Sequence, residues 1–89
     1  MLISWDPKKA SSNFRKHGLS FEEAVTVFSD PLALFVTDDS CRDRAILIGE
    51  SIKRRILLVV FVEISTRSVR IISARRATAH ERKRYEEER

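Results

Sequence analysis

The sequence predicts an α+β domain: a short strand, two helices, a four-stranded antiparallel meander and a C-terminal helix. Three observations carry that reading. Capping signals bracket two helical stripes in the first third of the chain. The apolar period then changes to two at Leu34, and a further capping box opens at Thr78. Helices and strands that segregate along a chain, instead of alternating, point to α+β architecture.

Residues 2–5 form the short first strand. Asp6-Pro7 opens the first helix, with Asp as N-cap and Pro at the first helical position. Gly18 ends it, and Arg15, Lys16 and His17 place positive charge at the negative end of the helix dipole. Ala10, Phe14 and His17 share one face by their spacing. Ser20-Phe21-Glu22-Glu23 is a capping box, with Glu23 expected to reach back to the cap. Phe21, Ala24, Val25 and Phe28 follow as a helical stripe that Asp30-Pro31 terminates. Trp5, Phe14, Phe21 and Phe28 are expected in the core. Strands are predicted at 33–37, 45–49, 55–63 and 68–75, with connections short enough for antiparallel hairpins. Residues 56–62 are apolar on both faces, so this strand should be central and covered on both sides. The two helices cover one side only. The tail helix after Thr78-Ala79-His80-Glu81 has almost no apolar stripe, and should pack lightly through Ala79 and Tyr85.

The 89 residues make one domain, with 43% hydrophobic content enough for one small core. The lone Cys41 cannot staple the fold and is read as an inert small residue. With no ligand spacing around it, and with His17 and His80 far apart, neither a structural zinc nor any other cofactor is expected. The N-terminus lacks the pattern of a signal peptide, and the longest apolar run, seven residues from Ile56 to Val62, is too short to span a bilayer. A cytoplasmic protein without membrane contact is expected. Charge is uneven: residues 1–41 carry a balance of −2 and residues 42–89 one of +6. A basic surface of that kind suits a polyanion such as nucleic acid. A well-solvated surface would look the same.

One series of residues is far more specific. Trp5-Asp6-Pro7-Lys8-Lys9-Ala10 is followed by Asn13, Lys16-His17-Gly18, Ser20-Phe21-Glu22-Glu23-Ala24, Val27-Phe28 and Asp30-Pro31. Arg44, Ile48-Gly49, Arg70-Ile71-Ile72-Ser73-Ala74-Arg75, Glu81-Arg82 and Tyr85-Glu86 complete it. In this order and spacing the chain resembles the BrnT family of bacterial toxins. The resemblance implies a RelE-like fold, RNA cleavage and growth arrest when unopposed. It also implies a partner, a BrnA-like DNA-binding antitoxin that neutralises the toxin, in a hetero-oligomer, and represses the shared operon. Two positions depart from the family pattern. A frequent His-Ser pair before the second hairpin is replaced by Asp39, Ser40 and Cys41, which removes a histidine-based step there. A usual Gly-Arg after the hairpin turn is Arg54-Arg55.

Metal-free RNA cleavage needs a base for the 2′-hydroxyl, cations for the pentacoordinate phosphate and an acid for the leaving oxygen. Arg75, at a strand end, is the first candidate for the phosphate, since a guanidinium can bind it bidentately. Arg55 and Arg44 are similar candidates, and the alternative for each is a surface ion pair. Histidine suits acid or base work near neutrality, so His17 is a catalytic candidate, with a helix cap as its alternative. Glu63 is a weaker candidate base, whereas Glu23 is assigned to its cap. Lys16, Lys53, Arg54 and Arg76 are candidate RNA contacts. Apart from Trp5, which is assigned to the core, only Phe35 and Phe61 are strand aromatics, so a base-stacking platform is not indicated.

Hairpin geometry places these groups. If residues 64–67 turn, Glu63 faces Ser68, Val59 faces Ile72 and Arg55 faces Arg76. Arg55, Arg75, Arg76, Lys53 and Arg54 then converge at one end of the sheet, where like charges repel unless an anion sits among them. Alternation to opposite faces would separate them instead. Two functions fit: a metal-independent endoribonuclease toxin, or a catalytically inactive toxin-like module that binds its antitoxin and co-represses the operon. In either case the uncovered sheet face, or the basic surface beside it, is where the antitoxin is expected.

Overall fold

Alternation in the central strand decides the layers. In the computed structural model, which describes residues 1–40 and 43–87, β4 (Ile56–Ser65) sends Leu57, Val59 and Phe61 to one side and Leu58 and Val60 to the other. The expectation for Cys41 lies outside the described residues. The remaining strands are β1 (Leu2–Trp5), β2 (Leu34–Thr37), β3 (Arg44–Glu50) and β5 (Ser68–Arg76). The sheet runs β1-β5-β4-β3-β2. Strands β2 to β5 form the predicted antiparallel meander, and β1 adds a parallel edge beside β5, so the α+β sheet is five-stranded and mixed. The short first strand expected at residues 2–5 thus joins the four-stranded meander as the parallel fifth strand of one sheet.

Helices α1 (Pro7–His17) and α2 (Phe21–Val27) cover the first side. Phe21, Ala24 and Val27 are buried there against Leu57, Val59, Phe61 and Ile71. The caps act as predicted: the Asp6 carboxylate accepts from the Lys8 N–H at 2.9 Å, and Gly18 takes the left-handed φ of 70° that closes α1. The face that α1 buries is not the expected one. Phe14 is 56% exposed and His17 is exposed, while Asn13 is buried. The Asn13 amide donates to the carbonyls of Ala74 (2.8 Å) and Leu19 (3.3 Å) and accepts from the Ala74 N–H at 3.1 Å. That amide-to-backbone clamp rotates the helix, and Phe14, the next residue round the cylinder, turns to solvent.

Helix α3 (Ala79–Glu87) crosses the second side. Its Thr78–Glu81 box is closed both ways: the Thr78 N–H donates to Glu81 Oε1 at 2.8 Å and the Glu81 N–H to Thr78 Oγ1 at 3.3 Å. Tyr85 is 3% exposed and packs against Ile48 and Leu58. Ala79 is exposed, so among the described residues of α3 the buried packing runs through Tyr85. The Tyr85 hydroxyl donates to Asp30 Oδ2 at 2.6 Å, and the same oxygen accepts from the Glu50 N–H at 2.8 Å. A helix without an apolar stripe is thereby tied to the loop after α2.

Candidate functional site: an arginine cleft at the end of the sheet

The β4–β5 register sets which arginines can meet. The turn is Thr66-Arg67, two residues between Ser65 and Ser68, and a bulge follows between Val60 and Phe61. Pairing therefore moves from the predicted partners to Glu63↔Val69, Val59↔Ala74 and Leu57↔Arg76. The two irregularities, one on each strand, offset each other, so the net displacement of two residues comes from the tighter turn. Arg75 pairs with Leu58 and Arg76 with Leu57, so adjacent arginines point to opposite faces.

Arg75 goes to the α3 side. Its guanidinium bonds Glu81 through two nitrogens at 2.9 Å each, and donates to the Arg76 carbonyl at 3.2 Å. The Arg75 hydrogen bond holds the Glu81 carboxyl below its ordinary range. Arg55 goes to the α2 side, where its Nε donates to Glu23 Oε2 at 3.0 Å and its Nη2 pairs with Glu23 Oε1. Glu23 is 4% exposed. Its backbone N–H completes half of the capping box by donating to Ser20 Oγ at 3.1 Å. The carboxylate does not reach back as expected. It is drawn to Arg55 and to the Ser51 hydroxyl, which donates at 2.7 Å. Burial pushes the Glu23 carboxyl up, but the Arg55 and Ser51 hydrogen bonds and the charges of Arg55 and Lys53 outweigh it, leaving it lowered. The β3–β4 turn is pinned further by the Ile52 N–H, which donates to Thr26 Oγ1 at 2.9 Å. Within that turn Arg54 adopts a left-handed φ of 64°, the region a glycine enters without strain.

Where β4 begins, β5 ends and α3 departs, a cleft is lined by Arg54, Arg55, Ile56, Arg76, Ala77 and Arg82. The expected crowding of cations is largely answered by the fold's own carboxylates: Glu23 for Arg55, Glu81 for Arg75, and Glu50 for Arg54 at 3.2 Å. Arg76 and Arg82 are exposed, and among the described residues neither has an ion-pair partner. Four lining arginines set against Glu23 and Glu50 leave two positive charges unanswered. Arg55 is held in place by the buried Glu23, and unpaired guanidiniums beside it invite an anion with bidentate oxygens such as phosphate.

The other sequence candidates lie outside this cleft, Arg44 and Glu63 together lining a separate pocket with Phe35, Thr37, Asp43 and Ala45. Arg44 opens β3 opposite Val62, whereas the cleft begins near Ile56, so about 20 Å of strand separates them at roughly 3.3 Å per residue. Glu63 is exposed near the far turn. Lys16 and His17 lie exposed in the last turn of α1, and Lys53 is exposed in the β3–β4 turn. Among the described residues, no group of three or more His, Cys, Asp or Glu side chains could hold a metal ion, and no helix is long and apolar enough to cross a membrane.

Comparison with known proteins places this geometry. Residues 5–81 match the family described as the ribonuclease toxin, BrnT, of type II toxin–antitoxin systems. The chain belongs to the BrnT family. Its fold is similar to the crystal structure of the Brucella abortus ribonuclease toxin BrnT, with a TM-score of 0.72 and 31% identity, over 88% of this chain and 97% of that one. No curated protein sequence matches it. Membership in a BrnT toxin–antitoxin family implies an antitoxin partner. The family match ends at Glu81, so it spans Arg55, Arg75, Arg76 and the carboxylates that hold two of them. Sequence reasoning gave Arg82 no role beyond its place in the family series, and missed the Glu23–Arg55 pair, whose partners stand 32 residues apart. Asn13 carried a signal: it is a polar residue on the side of α1 that Ala10 marks for burial.

Proposed function

We propose that this chain is an endoribonuclease that cuts RNA without a metal ion, with the scissile phosphate held in the cleft of Arg54, Arg55, Arg76 and Arg82. The observation that carries this reading is the pair of unanswered arginines, Arg76 and Arg82, set beside the immobilised Arg55. In the reaction the 2′-oxygen attacks phosphorus as its proton leaves, the bond to the 5′-oxygen breaks, and that oxygen takes up a proton. The products carry a 2′,3′-cyclic phosphate and a 5′-hydroxyl. Fixed guanidiniums stabilise the charge that builds on the phosphoryl oxygens and need no reorganisation to do so. They supply no proton transfer. For that step the reading keeps His17, which stands outside the cleft lining in the last turn of α1, the helix that Asn13 ties to Ala74 and Leu19. Lys16 and Lys53 extend the basic surface along the RNA strand. Arg75, held by Glu81 on the other face, is assigned to anchoring α3. A BrnA-like antitoxin neutralises the toxin in a hetero-oligomer.

A second reading, binding without cutting, is favoured by one fact: no histidine or carboxylate lines the cleft. One experiment separates the two. Purified protein is incubated with end-labelled RNA in excess chelator, and the new ends are identified. Cleavage leaving cyclic phosphate is expected. Activity that vanishes with chelator and returns with magnesium would overturn the arginine-based reading, and intact RNA under both conditions would favour the module that only binds.

A further inference from the structure

The second face of the sheet is only partly covered, and its rows can be followed through the register. The row Leu34–Ile48–Leu58–Arg75 lies beneath α3, against Tyr85 and Glu81. The next, Val36–Ile46–Val60, is half-buried at its margin. The third, Arg44–Val62–Arg70–Ser4, lies beyond. In it Arg70 and Ser4 are exposed and Val62 is half-buried. Leu2, on the same side of β1 as Ser4, is 74% exposed. Among the described residues neither Arg44 nor Arg70 has an ion-pair partner.

We infer that this uncovered face docks a segment of the antitoxin that carries aliphatic side chains flanked by carboxylates. The inference rests on the toxin–antitoxin reading above and adds the surface. Charge complementarity selects the partner: the two arginines flank Val62 from the neighbouring strands, about 10 Å apart at roughly 4.8 Å per strand. A ligand that covers the valines and isoleucines must answer both cations as it removes them from water. RNA answers the charge but not the rest, because the side chains between the arginines are aliphatic and offer no ring on which a base stacks. Four strands and two to three rows make a patch on the order of 300 Å². That is below the ~800 Å² per partner of a standard interface, and suits one amphipathic helix about 10 Å wide. Such a helix would extend the cover that α3 begins.

The test uses the protein encoded beside this chain, purified and titrated against the full-length toxin. Two variants probe the patch: Arg70→Glu, a charge reversal on an exposed strand position, and Val62→Glu, a carboxylate in the apolar row. Lys9→Glu, exposed on α1 in the opposite layer, has the same net charge change as Arg70→Glu and serves as control. The expected result is at least a tenfold loss of affinity for both patch variants, little change for Lys9→Glu, and RNA cleavage at the wild-type rate by Arg70→Glu. Unchanged affinity in both patch variants would overturn the surface while leaving the partner in place. Loss of cleavage with binding retained would give the row to RNA. If the free toxin is a dimer that Val62→Glu dissociates, the occupant is a second copy of this chain. A wild-type protein that does not bind its neighbour would overturn the partner reading itself. Thermal melting of Arg70→Glu checks that any loss of binding is not a loss of fold.

Discussion

Replacing Tyr85 should detach one helix without unfolding the domain, and the structure sets the size of the effect. Tyr85 is the only buried residue that the structure describes in α3, and its hydroxyl donates to the Asp30 carboxylate at 2.6 Å. In Tyr85→Phe that bond is lost while the ring still packs on Ile48 and Leu58. A hydrogen bond to a charged group contributes about 1.5–3 kcal/mol. Asp30 keeps the N–H groups of Glu50 and Leu32, at 2.8 and 2.9 Å, so the loss should sit near the lower end. At about 4–8 °C per kcal/mol for a domain of this size, a loss of about 1.5 kcal/mol lowers the melting temperature by roughly 6–12 °C. Tyr85→Ala also removes the ring, which in a rigid core costs about 3–5 kcal/mol. Here the cost is capped, because a nine-residue helix that cannot dock does not persist alone and simply melts. Hydrogen exchange of residues 79–87, measured with thermal melting, separates local from global loss. The expectation is near-complete loss of protection there, with protection kept in β4. Wild-type protection of α3 in Tyr85→Ala would show that the Arg75–Glu81 pair holds the helix by itself and would refute Tyr85 as its main anchor.

Three further outcomes follow from particular contacts. A Cβ at Gly49 would stand 3.0 Å from Ala33 Cβ and from Val27 Cγ1, so in Gly49→Ala α2 and its following loop must give by a few tenths of an ångström. The expected cost is about 1–3 kcal/mol in chemical denaturation, and an unchanged midpoint would contradict that packing. Arg54→Gly relieves the left-handed backbone at φ 64°, which costs an L-residue about 1–2 kcal/mol, and gives up only an exposed ion pair with Glu50 worth about 0–1 kcal/mol. Its melting temperature should hold or rise, whereas its RNA affinity should fall. Glu23 and Glu81 both have carboxyls lowered from 4.5 in the folded state, so their stabilisation is complete above that value and is lost as pH falls through the folded values. A stability profile in acid should therefore steepen below about pH 4.5, and Glu81→Gln should flatten part of it. A Glu81→Gln profile that overlays the wild type would show that this carboxylate is not coupled to folding.

The parts of this fold that local chemistry specifies were legible in the sequence. Asp6-Pro7, Gly18, Ser20 and Thr78 mark helix ends through contacts within four residues, and the period-two segments fall where β2 to β5 lie. What escaped depends on distant partners. Glu23 had a local role available and took a stronger one with Arg55, 32 residues away. Phe14 satisfied the apolar spacing of α1, yet the Asn13 clamp to Ala74 decided which side faces the sheet. The two-residue turn and the bulge beside Phe61 leave no mark in the residue pattern, although together they set Arg76 opposite Leu57 in place of Arg55. The convergence of basic residues was therefore visible, with Arg54, Arg55 and Arg76 among its members, while the rest of its membership was not. Arg82 enters from a helix read as solvated, and Arg75 leaves with Glu81.

The central claim is that unpaired arginines at the end of the sheet hold the phosphate that is cut. Arg76 tests it most directly, because it lines the cleft, is exposed, and among the described residues has no ion-pair partner to disturb. The measurement is the single-turnover rate of RNA cleavage by Arg76→Ala, with melting as the control for fold. An exposed substitution of this kind should change stability by no more than about 0.5 kcal/mol. Loss of one such charge-stabilising donor should slow cleavage by about 10²–10³. A fully folded Arg76→Ala protein that cuts RNA at the wild-type rate would contradict the account.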